Sequence, residues 1–176
     1  TGTAHVVASP HVDVRIGEID PRDDDDFARW FAPFDAAQTH DVRLPGLWSL
    51  KGQRGISVTT HATRLLHCVA VSSTGEAVGS ARLNLPERDN THVASVFVAV
   101  SPAHRRRGVG TALLDVATAA AREHARTTIQ SFVDEPHGEV APGVEFLRKH
   151  GFAPALAEVR RDLTLPADEA RLAVLE

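Results

Sequence analysis

The run Arg105-Arg106-Arg107-Gly108-Val109-Gly110-Thr111 concentrates more chemistry than any other stretch of the chain. Guanidinium groups suit phosphate oxygens because their planar fork can bind two at once. The paired glycines leave the main chain bare, so a bulky anion can approach it and the turn can take angles that other residues avoid. The residues after the run decide its use. Val109, Ala112, Leu113, Val116 and Ala120 recur at helical spacing, so the glycine turn opens an amphipathic helix. The first N–H groups of a helix have no internal partner, and its dipole adds partial positive charge at that end. Strand, glycine turn and helix start together make a site for a phosphate or diphosphate.

The strand that must deliver the chain to this turn is Val93 to Val100, rich in valine and closed by Ser101-Pro102. Upstream, Val12, Val14 and Ile16 alternate with polar residues as a half-buried strand does. Asp23 to Asp26 precede Phe27, Trp30 and Phe31 at helical spacing, and acidic residues complement a helix start. Pro33 is expected to end or kink that helix. Between 41 and 64 there is a turn at Pro45-Gly46 beside Trp48, but no clean period. Leu65 to Val71 and Ala77 to Leu85 flank Ser72-Ser73-Thr74-Gly75 and read as a hairpin. Beyond the site come a strand at Thr127 to Val133, a short helix at Glu145 to His150 ended by Gly151, and a last strand at Val159 to Leu165. Ala167 to Glu176 has helical spacing. Hairpin-paired strands and then strands alternating with helices predict an α/β (α+β) layer fold with a mixed sheet.

With 176 residues, 43% of them hydrophobic, the chain suits one domain with a sizeable core. It has no apolar run long enough for a membrane helix and no leader-like N-terminus. One cysteine, Cys68, fits a reducing compartment and an inert buried thiol, so a cytoplasmic location is expected. The net charge of −4 argues against nucleic acid and anionic membrane as partners. Ten histidines are scattered without ligand spacing, so no metal is expected. Methionine is absent, which fits a removed initiator or a fragment.

Phe97-Val98-Ala99-Val100-Ser101-Pro102 leading into Arg105 to Thr111, and later Phe146-Leu147-Arg148-Lys149-His150-Gly151-Phe152, resemble in order two signatures of the GNAT superfamily of N-acetyltransferases. The resemblance runs from about Val14 to Leu165 and is weakest between Asp41 and Arg64. It implies a GNAT-like mixed, mostly antiparallel central sheet of six to seven strands flanked by helices, with the family's fourth and fifth strands splayed apart. Residues 1–10 would be a flexible N-terminus, 11–165 the acetyltransferase domain, and 166–176 a C-terminal helix or linker. The resemblance further implies acetyl-CoA as cosubstrate and no metal. Val98, Ala99 and Val100 would lie beside the pantetheine arm. Arg106, Arg107, Gly108, Val109, Gly110 and Thr111 would hold the diphosphate, with His104 or Arg105 near the adenosine. A primary amine on the acceptor would attack the acetyl carbonyl directly in a ternary complex, while a strand amide polarises its oxygen. Thioesters already react with amines, so positioning and polarisation can supply much of the acceleration.

The chain departs from the family in two places. Many members carry a tyrosine that protonates the departing thiolate; the matching position here is Leu147, and the chain contains no tyrosine. The general base is unassigned as well. His92, at the start of the valine-rich strand, is one candidate because an imidazole ordinarily changes charge near neutrality. Asp134, Glu135 and His137, just past the fifth strand, are others, with an ordinary polar loop as the plainer reading. Phe27, Trp30 and Phe31 are core residues, or one of them walls the acceptor site. A second function therefore stays open, that of a non-catalytic acyl-CoA-binding lobe acting as sensor or scaffold. The chain is also similar to one half of two-lobed GNAT proteins, which implies a second lobe or a homodimer.

Overall fold

A computed structural model describes residues 7–8, 12–41, 49–135 and 138–159. Six strands form one sheet in sequence order: β1 (Val7–Ala8), β2 (Val14–Glu18), β3 (Thr63–Ser72), β4 (Ala77–Pro86), β5 (Val93–Val100) and β6 (Thr128–Ser131). Every pairing is antiparallel except β5 with β6, which run parallel. The sheet is thus mixed and mostly antiparallel. The last strand expected at 159–165 (apart from Val159), the tail helix, Pro45 to Trp48 and His137 lie outside the described residues. Val7 and Ala8, within the segment expected to be flexible, pair with Ile16 and Arg15.

Four helices cover the two faces of the sheet. On one side lie α1 (Asp24–Asp41) and α2 (Leu50–Ile56); on the other lie α3 (Val109–Glu123) and α4 (Pro142–Lys149). Alternation along each strand sends one set of side chains to each layer. Val69, Phe97 and Ala99 pack with Phe27, Trp30 and Phe34 of α1, whereas Leu83, Ala94 and Val96 pack with Leu114, Ala117 and Ala121 of α3. At Gly79 an added Cβ would stand 2.9 Å from Leu113 and 3.0 Å from Val109, so only glycine lets α3 lie this close to β4.

Of the two outcomes expected of Pro33, an end or a kink, the first does not occur: α1 runs through it to Asp41. An interior proline costs roughly 3 kcal/mol. Here Phe27 and Trp30 before it and Phe34 after it are all buried, and Pro33 itself is buried with them. Fully burying one large apolar side chain stabilises by about 1.5–3 kcal/mol, so this stripe outweighs the proline. The aromatic residues are therefore core, with Phe31 only partly buried against them. Cys68, expected to be buried, is only partly so; desolvation, with a smaller push from Glu18, raises its thiol to about 12.

Candidate cofactor and acyl-transfer cleft

The register of two neighbouring strands sets the slot. On one side β5 pairs with β4 from Asn84↔Ser95 to Gly79↔Val100. On the other, pairing with β6 stops at Val96↔Ser131, so Phe97 to Val100 continue without a neighbour. In an antiparallel ladder alternate residues turn their N–H and C=O to the partner strand and the rest turn them away. Ser101 N–H donates to Val78 O, so Ala99 and Phe97 also face β4. Val98 and Val100 then face the open side. Val100 O accepts from Arg105 Nε at 3.1 Å and Val96 O from Ser131 Oγ at 2.9 Å. Val98 N–H, Val98 C=O and Val100 N–H remain directed into the gap.

At the end of β5 a 3₁₀ turn, Pro102–His104, leads into the arginine-glycine run. Gly108 caps α3 with φ 83°, in the left-handed region, and Arg106 stands at φ 62°. A non-glycine residue held there is strained by about 1–2 kcal/mol. No side chain caps this helix, and the amides of Gly108 to Thr111 have no hydrogen-bond acceptor among the described residues. Buried Val109 anchors the mouth in the core, while Arg106 and Arg107 are exposed.

Arg105 has a different task from its neighbours. Its NH1 and NH2 donate to the two carboxylate oxygens of Asp41 at 2.8 and 2.7 Å, and its Nε holds Val100 O. The end of α1 is thereby tied to the end of β5, and the guanidinium is committed to the protein. Burial works to raise the Asp41 carboxyl, but hydrogen bonds from Arg105 and His40 outweigh it and hold the group below the usual carboxylate range. A depressed carboxylate contributes stability above its unfolded pKa of about 3.9, and that stability is lost as pH falls through the folded value. Asp41→Asn is therefore expected to lower the melting temperature at pH 7, with the gap from wild type closing below about pH 4. A gap that is constant with pH in thermal melts would contradict the clamp.

Both features open into one cleft of about 590 Å³. It runs from Gly108, Gly110 and Thr111 past Val98 to Phe132 and Asp134 on the far wall. Of the residues expected to touch the cofactor, Arg107 alone does not border it. Asp134 lies on the cleft wall; Glu135 does not, and its Oε1 accepts from Ala141 N–H at 3.3 Å. His92 is not brought to the cleft. It sits exposed in the turn before β5, its carbonyl accepting from Thr127 and Thr128. Val98 lies six positions further along the strand, roughly 20 Å at the usual rise.

Leu147 also lies off the cleft, whereas Phe146 and His150 on the neighbouring face of α4 border it. His150 Nδ1 lies 2.9 Å from Phe146 O, so it must donate, which leaves Nε2 of the neutral ring to accept from Thr111 Oγ1 at 3.1 Å. His150 carries no role in the sequence reading; its spacing four residues after Phe146 is the signal that could have found it. The described residues contain no group of three His, Cys, Asp or Glu able to hold a metal ion.

Residues 26–152 match the acetyltransferase (GNAT) family. The chain belongs to this family. The GNAT fold is shared with solved structures over most of the chain. A tandem GNAT protein from the clavulanic acid biosynthesis pathway is 28% identical with a TM-score of 0.67, over 78% of this chain and 43% of that one. The chain thus spans less than half the length of that tandem protein and matches a single lobe. A ribosomal-protein-alanine N-acetyltransferase from Brucella melitensis biovar Abortus 2308 is 21% identical with a TM-score of 0.59, over 85% of this chain and 99% of that one. An aminoglycoside acetyltransferase from an uncultured soil metagenomic sample, in complex with sisomicin, is 15% identical with a TM-score of 0.62, over 87% and 97%. No curated protein matches the chain in sequence. The family is one of acetyltransferases. Among the described residues no helix is long and apolar enough to cross a membrane.

Proposed function

We propose that the chain moves an acetyl group from acetyl-CoA to a primary amine by direct attack within a ternary complex. The observation that carries this reading is the continuity of one cleft between the uncapped mouth of α3 and the unpaired edge of β5. The amides of Gly108 to Thr111 hold the diphosphate, and exposed Arg106 adds charge at the rim. Val98 C=O and Val100 N–H pair with the amides of the pantetheine arm. Val98 N–H points where the carbonyl oxygen of the thioester would lie, and a fixed donor there stabilises the charge that develops during attack. Bound in this way, acetyl-CoA supplies an activated acyl group in a slot that β6 has left open. The incoming ammonium must first lose a proton. Asp134, exposed on the cleft wall as Glu145 is, is the carboxylate we assign to take it through water.

A second reading, a lobe that binds acyl-CoA without turnover, is favoured by one observation: leucine stands where many members carry tyrosine, and that leucine does not border the cleft. Calorimetry with acetyl-CoA and thiol release over a panel of primary amines separate the two. One-site binding with amine-dependent thiol release is the expected result. Binding without release from any amine supports the second reading, and absence of binding overturns both. Gly110→Leu is expected to abolish acetyl-CoA binding, since a Cβ there already meets the Phe146 ring at 3.3 Å and Val100 Cγ2 at 3.6 Å. Unchanged affinity in a folded Gly110→Leu protein would refute the assigned turn. Gly108 is the poorer test, because its left-handed φ and the 2.7 Å approach to Val12 make any replacement destabilising.

A further inference from the structure

One polar contact on the cleft wall has no part in the proposed reaction. His150 caps the C-terminus of α4, half-buried at the cleft, and its imidazole is held from two sides. Nδ1 donates to Phe146 O at 2.9 Å, a carbonyl of its own helix. Nε2 meets Thr111 Oγ1 at 3.1 Å, in the first turn of α3. The Phe146 ring lies against the imidazole, with centres 4.4 Å apart, and also stands over Gly110. Phe146 and His150 thus bring the end of α4 onto the mouth of α3.

With Nδ1 committed as a donor, a further proton can enter only at Nε2, the atom that faces Thr111. The neutral ring accepts there, so the Thr111 hydroxyl gives its proton to the imidazole and has only lone pairs left. An imidazolium reverses the contact. Nε2–H then donates to Thr111 Oγ1, and the hydroxyl proton is free to reach an anion at the helix mouth. One proton from solvent therefore adds a positive charge and a hydroxyl donor at the same place. The C-terminal end of α4, with its partial negative charge, also favours a cation. The charges on the two helix ends are Arg106, Arg107 and Asp115 on the α3 side and Glu145, Arg148 and Lys149 on the α4 side. The cations oppose an imidazolium and the carboxylates favour it, and a diphosphate adds its charge in favour. His104 and Asp134 border the same cleft, so a variant at position 150 must assign the proton.

We propose that His150 is a positioning residue for the cofactor: the diphosphate draws a proton onto Nε2, and the imidazolium turns the Thr111 hydroxyl toward a phosphate oxygen. Cofactor binding is then coupled to proton uptake. An anion that strengthens proton binding is itself held more tightly as pH falls. The gain is complete below the pKa of the free ring and is lost as pH rises through that of the complex. This inference rests on the cofactor reading of the cleft, and binding without proton uptake separates its failure from the failure of that reading.

The probe is dephospho-CoA, because the 3′-phosphate of CoA would itself titrate at about pH 6. Calorimetry in two buffers of different ionisation enthalpy counts the protons taken up. Wild type is expected to take up protons on binding and to bind about three- to tenfold more tightly at about pH 6 than at about pH 8. His150→Gln keeps an amide for Thr111 but cannot be protonated, so both the uptake and the low-pH gain are expected to disappear. A uniform loss of affinity at every pH, with the uptake kept, would mark a merely structural contact and overturn the role. Thr111→Val keeps His150 but has no hydroxyl to turn, and is expected to lose most of the low-pH gain. In wild type alone, the His150 ring resonances are expected to move toward those of the charged ring when dephospho-CoA is added at about pH 7. That measurement decides the matter even if a variant fails to fold. A ring that stays neutral in the complex, or a full low-pH gain in Thr111→Val, would overturn the proposal while leaving the cofactor site intact. No binding of dephospho-CoA at any pH would overturn it together with the cofactor reading.

Discussion

Val98→Pro is expected to reduce kcat by about 10²- to 10³-fold, the usual effect of losing one donor to a developing oxyanion, while the protein stays folded. Proline removes a single backbone N–H, and at Val98 that N–H faces the gap beyond the last β5–β6 pair instead of β4. The ladder to β4 therefore keeps its bonds, and proline is tolerated on the free side of a strand. Phe97→Pro is the control. Phe97 stands opposite Arg82 on the hydrogen-bonded side, so the same substitution one residue earlier leaves a buried carbonyl unpaired and costs about 1–3 kcal/mol. Steady-state rates and thermal melts on the two variants should separate catalysis from folding. A Val98→Pro enzyme with wild-type kcat would contradict the role given to that amide.

The second large effect concerns stability in acid. His67 is fully buried between Phe27, at 6.3 Å, and Trp30, at 5.0 Å between ring centres, with Arg82 beside it. Burial, and then the charge of Arg82, lower its pKa from 6.5 to about 4. The unfolded chain binds a proton there below about pH 6.5, whereas the folded chain resists it until about pH 4. Acid therefore favours unfolding across that window, and the loss levels off below it. A shift of this size corresponds to roughly 3 kcal/mol. His67→Leu, which removes the titrating ring and its two orphaned nitrogens, is expected to lose less stability than wild type between pH 6.5 and 4 in denaturant melts. Parallel stability curves for the two proteins would show that His67 is not held neutral.

The parts of the fold that can be read from residues alone are those governed by local rules. Val93 to Val100 is a strand by composition and closure, and its bounds match β5. The arginine-glycine run announces a helix start because glycine placement and apolar period agree at Gly108 and Val109. Helix α2 is invisible for the opposite reason. It has seven residues and carries Gly52 and Gly55, so it shows no period and poor propensity, and its N-terminus rests on the Ser49 cap. Pro33 does not stop α1 because propensity is local, while the aromatic stripe it interrupts is stabilised by contacts with distant strands. The site divides the same way. Glycines and amides of the cofactor turn are legible, whereas Asp41 meets Arg105 across 64 positions, a pairing that no spacing rule encodes. Strand register also disposes of His92, which is polar and near β5 in sequence but at the wrong end of it.

Backbone amide spectra during titration with CoA test the central claim most directly. Saturable shifts are expected at Gly108, Val109, Gly110 and Thr111 from the diphosphate, and at Val98 and Val100 from the pantetheine arm. Saturable binding that leaves those amides unmoved would place the cofactor elsewhere and contradict that claim.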